Sequence, residues 1–243
     1  MIRRQVSAVF FLRDGFTGRP LASGAQVRCT LDGAPARPLW KDGGYLVFTD
    51  LPTGEHSLTV RQPFYQPEQR VFTLRAGETI EDTMYLKPGA GYPFPADSAA
   101  LEVAVTEGGR PSARPVWLGM SGPAALKLAQ DDGGGTEIRL FCRNAAVLPV
   151  PGVFLIPGKT GGELVRLLSL RGERGELEAP LEQKHLRGAE LIPVQRYDPD
   201  REGILRARFP RTGTVWLYCQ GAVRSLEIAP GAQRCNWNWK EKT

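Results

Sequence analysis

The chain has few of the residues on which catalysis and metal binding usually depend. Its 243 residues include 2 histidines, His56 and His185. Neither stands near a Ser or Cys in a nucleophile-elbow setting, and no His-Glu-x-x-His occurs, so the usual partners for acid–base and zinc chemistry are missing. Cysteine is scarce too. Cys29, Cys142, Cys219 and Cys235 form no C-x-x-C pair, which argues against a zinc site and a disulfide scaffold. Each lies in or near an apolar run, the setting of a buried reduced thiol. A Cys219–Cys235 pair stays open, should their strands adjoin. No apolar run reaches the roughly 18 residues that span a bilayer. No window holds apolar residues at i, i+3, i+4 and i+7 over three turns, so long amphipathic helices are not expected. Met1 to Phe11 imitates a signal peptide. It ends at Arg13-Asp14 without a small-x-small cleavage site, so it is expected to be the first strand of a chain made in the cytoplasm without a Sec signal.

The formal charge is +5, and no segment concentrates it. A nucleic-acid binder normally gathers Lys and Arg into a stripe. Here the excess is spread along the chain, so no nucleic-acid partner is expected.

What the sequence does have is 28 glycines and 20 prolines, spaced every several residues between short apolar segments. That spacing predicts an all-β protein with many turns. Asp14-Gly15, Thr17-Gly18, Asp32-Gly33 and Asp42-Gly43-Gly44 mark reversals. Ser57-Leu58-Thr59-Val60 alternates, with Leu58 and Val60 toward a core. Tyr45-Leu46-Val47-Phe48 is apolar on both faces and predicts a central strand covered on both sides.

The order Thr17-Gly18, Pro20-Leu21, Gly24-Ala25-Gln26-Val27, Thr49-Asp50, Leu51-Pro52-Thr53-Gly54 and Phe64-Tyr65, closing with Leu74-Arg75-Ala76-Gly77-Glu78, resembles the carboxypeptidase regulatory-like domain. The resemblance implies a transthyretin-like β-sandwich over residues 1–88 and a module that holds or spaces rather than catalyses. The zinc carboxypeptidase catalytic domain that accompanies it in that family is missing here. So are the residues of the transthyretin-like hydrolases. The Gly-Tyr corner usual in the family is Phe64-Tyr65 in this chain.

Residues 89–98 alternate prolines and predict an extended spacer. Its Tyr92 and Phe94 are candidate interaction residues, with docking onto a neighbouring domain as the alternative. Residues 99–243 predict a second β-sandwich. Thr214 to Cys219 and Ala222 to Ile228 flank a hairpin signal at Gln220-Gly221. The closing Ala229-Pro230-Gly231-Ala232 resembles the end of the first module. Within this region, residues 152–194 are similar to small β-barrel modules of phage-tail and contractile injection system proteins, and an inserted barrel is expected at about 147–197.

Three further motifs were weighed. Gly158-Lys159-Thr160 has Val153 where a P-loop needs glycine, and Pro157 removes a backbone donor, so it reads as a hairpin turn. Asp131-Asp132-Gly133-Gly134-Gly135 lacks the alternating ligands of a calcium loop. In Cys235-Asn236-Trp237-Asn238-Trp239, strand spacing puts Trp237 and Trp239 on one face. They either stack on a sugar or anchor a partner, or they close a sandwich core.

These features predict a non-catalytic protein with no metal and no cofactor. Its partners are expected to be other subunits of a larger assembly, such as a phage-tail-like contractile particle, with a homo-oligomer left open. The alternative is a carbohydrate-binding or adhesion module using the C-terminal tryptophans.

Overall fold

The structure, a computed structural model, describes residues 5–22, 26–122, 126–132, 134–142, 150–158 and 161–240. Gly24-Ala25, Gly133 and Lys159-Thr160 of the motifs above lie outside the described residues. The chain forms two compact units, Met1–Phe94 and Pro95–Thr243. Among the described residues it is built of 21 strands without a helix, so the protein is all-β.

The first unit is a sandwich of two four-stranded sheets. One has the order β4 (Leu39–Lys41), β5 (Tyr45–Thr49), β1 (Val6–Asp14), β8 (Ile80–Leu86). The other has the order β3 (Ala34–Ala36), β2 (Arg28–Leu31), β6 (Gly54–Arg61), β7 (Glu68–Leu74). The period-2 alternation of the strands sends Ala8, Phe10 and Leu12, Leu46 and Phe48, and Met84 and Leu86 inward from the first sheet. Cys29, Leu58, Val60 and Phe72 meet them from the second. Burying each large side chain contributes about 1.5–3 kcal/mol. Leu46 and Phe48 face this core as predicted. Among the described residues of the first unit no layer covers the opposite side of β5: Tyr45 is 40% exposed, and Val47 shares its outward face. Two-sided apolar character reports affinity for a covering layer, not the presence of one.

The second unit repeats that wiring. Its first strand, β9 (Ala99–Glu107), lies between antiparallel β18 (Ile204–Phe209) and a parallel final strand, β21 (Gly231–Asn238). β1 lies in the same way between antiparallel β5 and parallel β8. In the facing sheet β11 (Val116–Met120) pairs with β19 (Gly213–Cys219), which forms a hairpin with β20 (Ala222–Ile228). β2, β6 and β7 do the same. Individual contacts recur. The Leu12 amide donates to the Gly44 carbonyl at 2.9 Å, and the Val105 amide to that of Gly203 at 2.8 Å. Gly44 and Gly203 have φ of 86° and 75°, and a Cβ on either would lie 2.7 or 2.6 Å from the Leu12 or Val105 carbonyl oxygen. Both positions therefore demand glycine. Val103, Val105, Leu118, Leu205, Leu217 and Trp237 fill the second core.

Where the first unit has β3 and β4, the second has a barrel. β12 (Leu126–Leu128), β13 (Glu137–Phe141), β16 (Arg174–Leu177), β15 (Gly162–Arg171), β14 (Gly152–Pro157) and β17 (Glu190–Tyr197) pair in that order, and β12 pairs back onto β17 to close the ring. The barrel begins about twenty residues before the expected 147: β12 is only three residues long, and the alternation of Glu137 to Phe141 marks β13 as a strand without saying that it pairs into the barrel. Its interior holds Leu126, Leu140, Phe154, Ile156 and Leu167. β17 belongs to both bodies. Glu190 to Pro193 pair within the barrel, and Val194 to Tyr197 pair with β11 of the sandwich. Leu155 and Ile192, paired with each other and fully buried, point outside the barrel. They lie toward Gly162 and Gly119, which bring the barrel against the sandwich.

Candidate functional site

The side chains capable of chemistry are held in structural roles. His56, buried on β6, has Nδ1 2.8 Å from Asp32 Oδ2 and Nε2 2.8 Å from the Pro52 carbonyl. Both partners only accept hydrogen bonds, so the site places both ring nitrogens to donate and favours the imidazolium form. The Pro52 carbonyl first and Asp32 second raise its pKa above the ordinary histidine value. The His56 bond, then the Ser57 amide, hold Asp32 below the usual carboxylate range. His56 thereby clasps the Leu51-Pro52-Thr53-Gly54 turn to the Asp32-Gly33 turn.

This linkage has a definite sign. The His56 contribution is complete below the ordinary imidazole pKa and is lost as pH rises through the raised one. The Asp32 contribution is complete above the ordinary carboxylate pKa and is lost as pH falls through the lowered one. The stability difference between wild type and His56→Gln is therefore expected to shrink as pH climbs beyond about 6.5. Urea midpoints across that range check it, and a pH-independent difference would overturn it.

Glu163 and His185 are buried together at one end of the barrel, with side chains 6% and 7% exposed and His185 Nε2 2.8 Å from Glu163 Oε2. Glu163 also accepts the Glu182 amide at 2.6 Å and the Gln183 amide at 3.3 Å. His185 lies in the segment between β16 and β17. It forms an isolated bridge with Asp132, each amide donating to the other's carbonyl. The carboxylate thus serves as an acceptor for a chain crossing. The cysteines are free thiols. Burial pushes the Cys29 and Cys219 thiols up to about 11 and raises Cys235 as well, which suppresses the reactive thiolate.

The structure separates the four candidate interaction residues. Tyr92 is buried, and its hydroxyl donates to the Asp14 carboxylate. Desolvation, then Asp14, raises its phenol pKa. Its ring meets Phe16, Tyr65 and Phe94 edge-on, and Phe94 meets Phe16 at 5.0 Å. The Tyr92-Pro93-Phe94 segment of the expected spacer is thus docked on the first unit. Trp237 is 6% exposed inside the second core, unavailable to a sugar ring. Trp239 packs half-buried on the same core, with the Arg114 guanidinium 5.8 Å and the Lys240 ammonium 5.3 Å from its ring. Glu107 binds both cations, at 3.1 and 2.6 Å.

The surface least explained by packing is the outer face of the β4-β5-β1-β8 sheet. Leu39, Val47 and Val9 form one cross-strand row, ending at Glu81. Lys41, Tyr45, Phe11 and Thr83 form the next. Phe11 and Tyr45 stack at 4.7 Å, and the Arg13 guanidinium lies 4.4 Å over Phe11. The facing sheet of the same sandwich turns Thr30, Ser57, Thr59, Gln69 and Thr73 outward together with an exposed Val71, a mostly polar surface. No residue of the apolar face was singled out from the sequence as a site. The one signal was the two-sided apolar run at Tyr45 to Phe48.

No family model matches the chain, and no curated protein matches it in sequence. Among solved structures, it is similar to the Bacillus anthracis TIE protein at 11% identity and a TM-score of 0.28, covering 97% of this chain and 51% of that one. The chain thus spans about half of that protein's length. It is similar to BcpA, the major pilin subunit of Bacillus cereus, at 7% identity and a TM-score of 0.29, covering 98% and 100%. It is also similar to GBS52, the minor pilin of Streptococcus agalactiae, at 11% identity and a TM-score of 0.23, covering 98% and 95%. Likenesses at this level do not establish a shared fold.

Proposed function

We propose that the chain is a non-catalytic structural or adaptor subunit of a larger protein assembly. The observation that carries this reading is the engagement of its reactive groups. Both ring nitrogens of His56 and the Nε2 of His185 are committed to structural acceptors, and burial raises the Cys29, Cys219 and Cys235 thiols. Within this reading the first sandwich is a carboxypeptidase regulatory-like module. The assembly is a phage-tail-like contractile particle, a reading supported by the likeness of residues 152–194 to small barrels of such particles.

The test is sedimentation of tagged chain from its native cells, followed by mass spectrometry of what travels with it. Sheath and tube subunits in the same fraction are the expected result. A chain that sediments alone overturns the assembly. Turnover in a hydrolase screen that is lost in His56→Ala or His185→Ala overturns the non-catalytic role. Specific binding on a glycan array that is lost in Trp239→Ala would favour a carbohydrate reader instead.

A further inference from the structure

The repeated wiring of the two sandwiches shows what the apolar face of the first would look like if it were built for water. Strands β1 and β9 align through the equivalent Leu12 and Val105 amides. On that alignment the row Val47–Val9–Glu81 of the first unit corresponds to Arg206–Glu102–Arg234 of the second. Those three are joined by ion pairs, Arg206 to Glu102 at 3.0 Å and Arg234 to Glu102 at 3.1 Å. The charged ladder suits a sheet face open to solvent. The first unit has valines in its place, beside stacked Phe11 and Tyr45 and with Leu39 45% exposed at the edge. A sheet with apolar residues on both faces needs cover on both.

The charges on this face indicate the cover. Lys41 sits on edge strand β4 and Glu81 on the opposite edge strand β8. Neither has an ion-pair partner among the described residues. Opposite, unpartnered charges at opposite edges of one apolar surface make that surface self-complementary. A twofold axis parallel to the strands, running between β5 and β1, lays Val47 of one copy over Val9 of the other and Tyr45 over Phe11. The same operation carries Lys41 to the β8 edge of the other copy, one row from Glu81 and within reach of its long side chain. Sheets packed face to face in this way form an aligned sandwich.

We propose that this face pairs with the same face of a second copy of the chain. The proposal rests on the structural role above and names the first contact of the assembly. It is tested by sedimentation equilibrium of the full chain over a concentration series. The wild type is expected to move from one chain toward two. Tyr45→Glu, at a surface position, should raise the dissociation constant at least tenfold while leaving the circular dichroism unchanged. Lys41→Glu and Glu81→Lys should each weaken pairing, and the double variant, with the charges exchanged, should recover it. A chain that stays monomeric throughout overturns the proposal, as does a dimer indifferent to Tyr45→Glu or unrescued by the exchange. A photo-crosslinker at position 45 separates this failure from that of the wider role. Crosslinks in native cells to a different subunit overturn self-pairing and leave the structural role standing. A monomer without crosslinks overturns self-pairing, and the wider role is then decided by whether the chain sediments with other subunits.

Discussion

Glu163→Ala is expected to lower the stability of the second unit by at least about 3 kcal/mol, because it removes the acceptor that three buried donors share. The reason lies in where the carboxylate points. Glu163 pairs across β15 with Ile156 of β14, on the face that carries Val165 and Leu167 into the barrel. An inward carboxylate is tolerated there because the chain crossing the barrel end brings three donors to it: the amides of Glu182 and Gln183 and the ring of His185. Truncation leaves all of them inside without an acceptor, and each unmet buried donor costs about 1–3 kcal/mol. Glu163→Gln keeps one acceptor oxygen and should fall between wild type and alanine. Chemical denaturation followed by tryptophan fluorescence reads the effect, since Trp117, Trp216, Trp237 and Trp239 all belong to the second unit. A Glu163→Ala midpoint equivalent to within about 0.5 kcal/mol of wild type, the range for surface substitutions, would mean that the crossing is held by something else.

The sandwich wiring was legible in the sequence wherever turn chemistry is local. Gln220-Gly221 was predicted as a hairpin, and both residues have positive φ, 47° and 86°. Leu58 and Val60 were assigned inward by alternation and are fully buried. The repeated wiring also has a counterpart in the sequence. Gly18-Arg19-Pro20 and Gly109-Arg110-Pro111 occupy equivalent places after the first strand of each unit. Three residues are too few to be recognised as a repeat until Gly44 and Gly203 are seen making the same contact.

The barrel boundary and the Glu163–His185 pair were not legible, because both depend on closure between segments far apart in the chain. β12 contributes three residues, and its membership of the ring is decided by pairing with β17 some sixty residues later. The candidate site was the least legible part. Aromatic residues at strand spacing look alike whether they face a core or a partner. Trp237 proved to be core, while the exposed aromatic stack at Phe11 and Tyr45 was read as ordinary strand. Only the choice of sheet face distinguishes them, and that depends on which layer packs where.

Gly119→Ala is expected to be as damaging as any single methyl addition to this chain. Gly119 sits on β11 where β17 passes from barrel to sandwich, paired with Val194 and Trp216. A Cβ there would lie 2.3 Å from the Pro193 carbonyl oxygen, 2.7 Å from Val194 Cγ1 and 3.1 Å from Ile192 Cγ2. The nearest obstacle is backbone, so no rotamer change relieves it, and β11 must separate from the strand shared by both bodies. The loss should reach the upper end of the overpacking range, about 3 kcal/mol. Two companions calibrate the cause. Gly162→Ala places its Cβ 2.4 Å from Val223 Cγ2, a side-chain methyl that can turn aside, so a smaller loss is expected. Gly135→Ala meets nothing closer than 3.6 Å and should stay within about 0.5 kcal/mol of wild type. The order Gly119, Gly162, Gly135 in denaturation midpoints is the result to check. If Gly162→Ala proved worse than Gly119→Ala, the barrel would depend more on its seat against Val223 than on continuity of β11 and β17. The shared strand would then not be what joins barrel to sandwich.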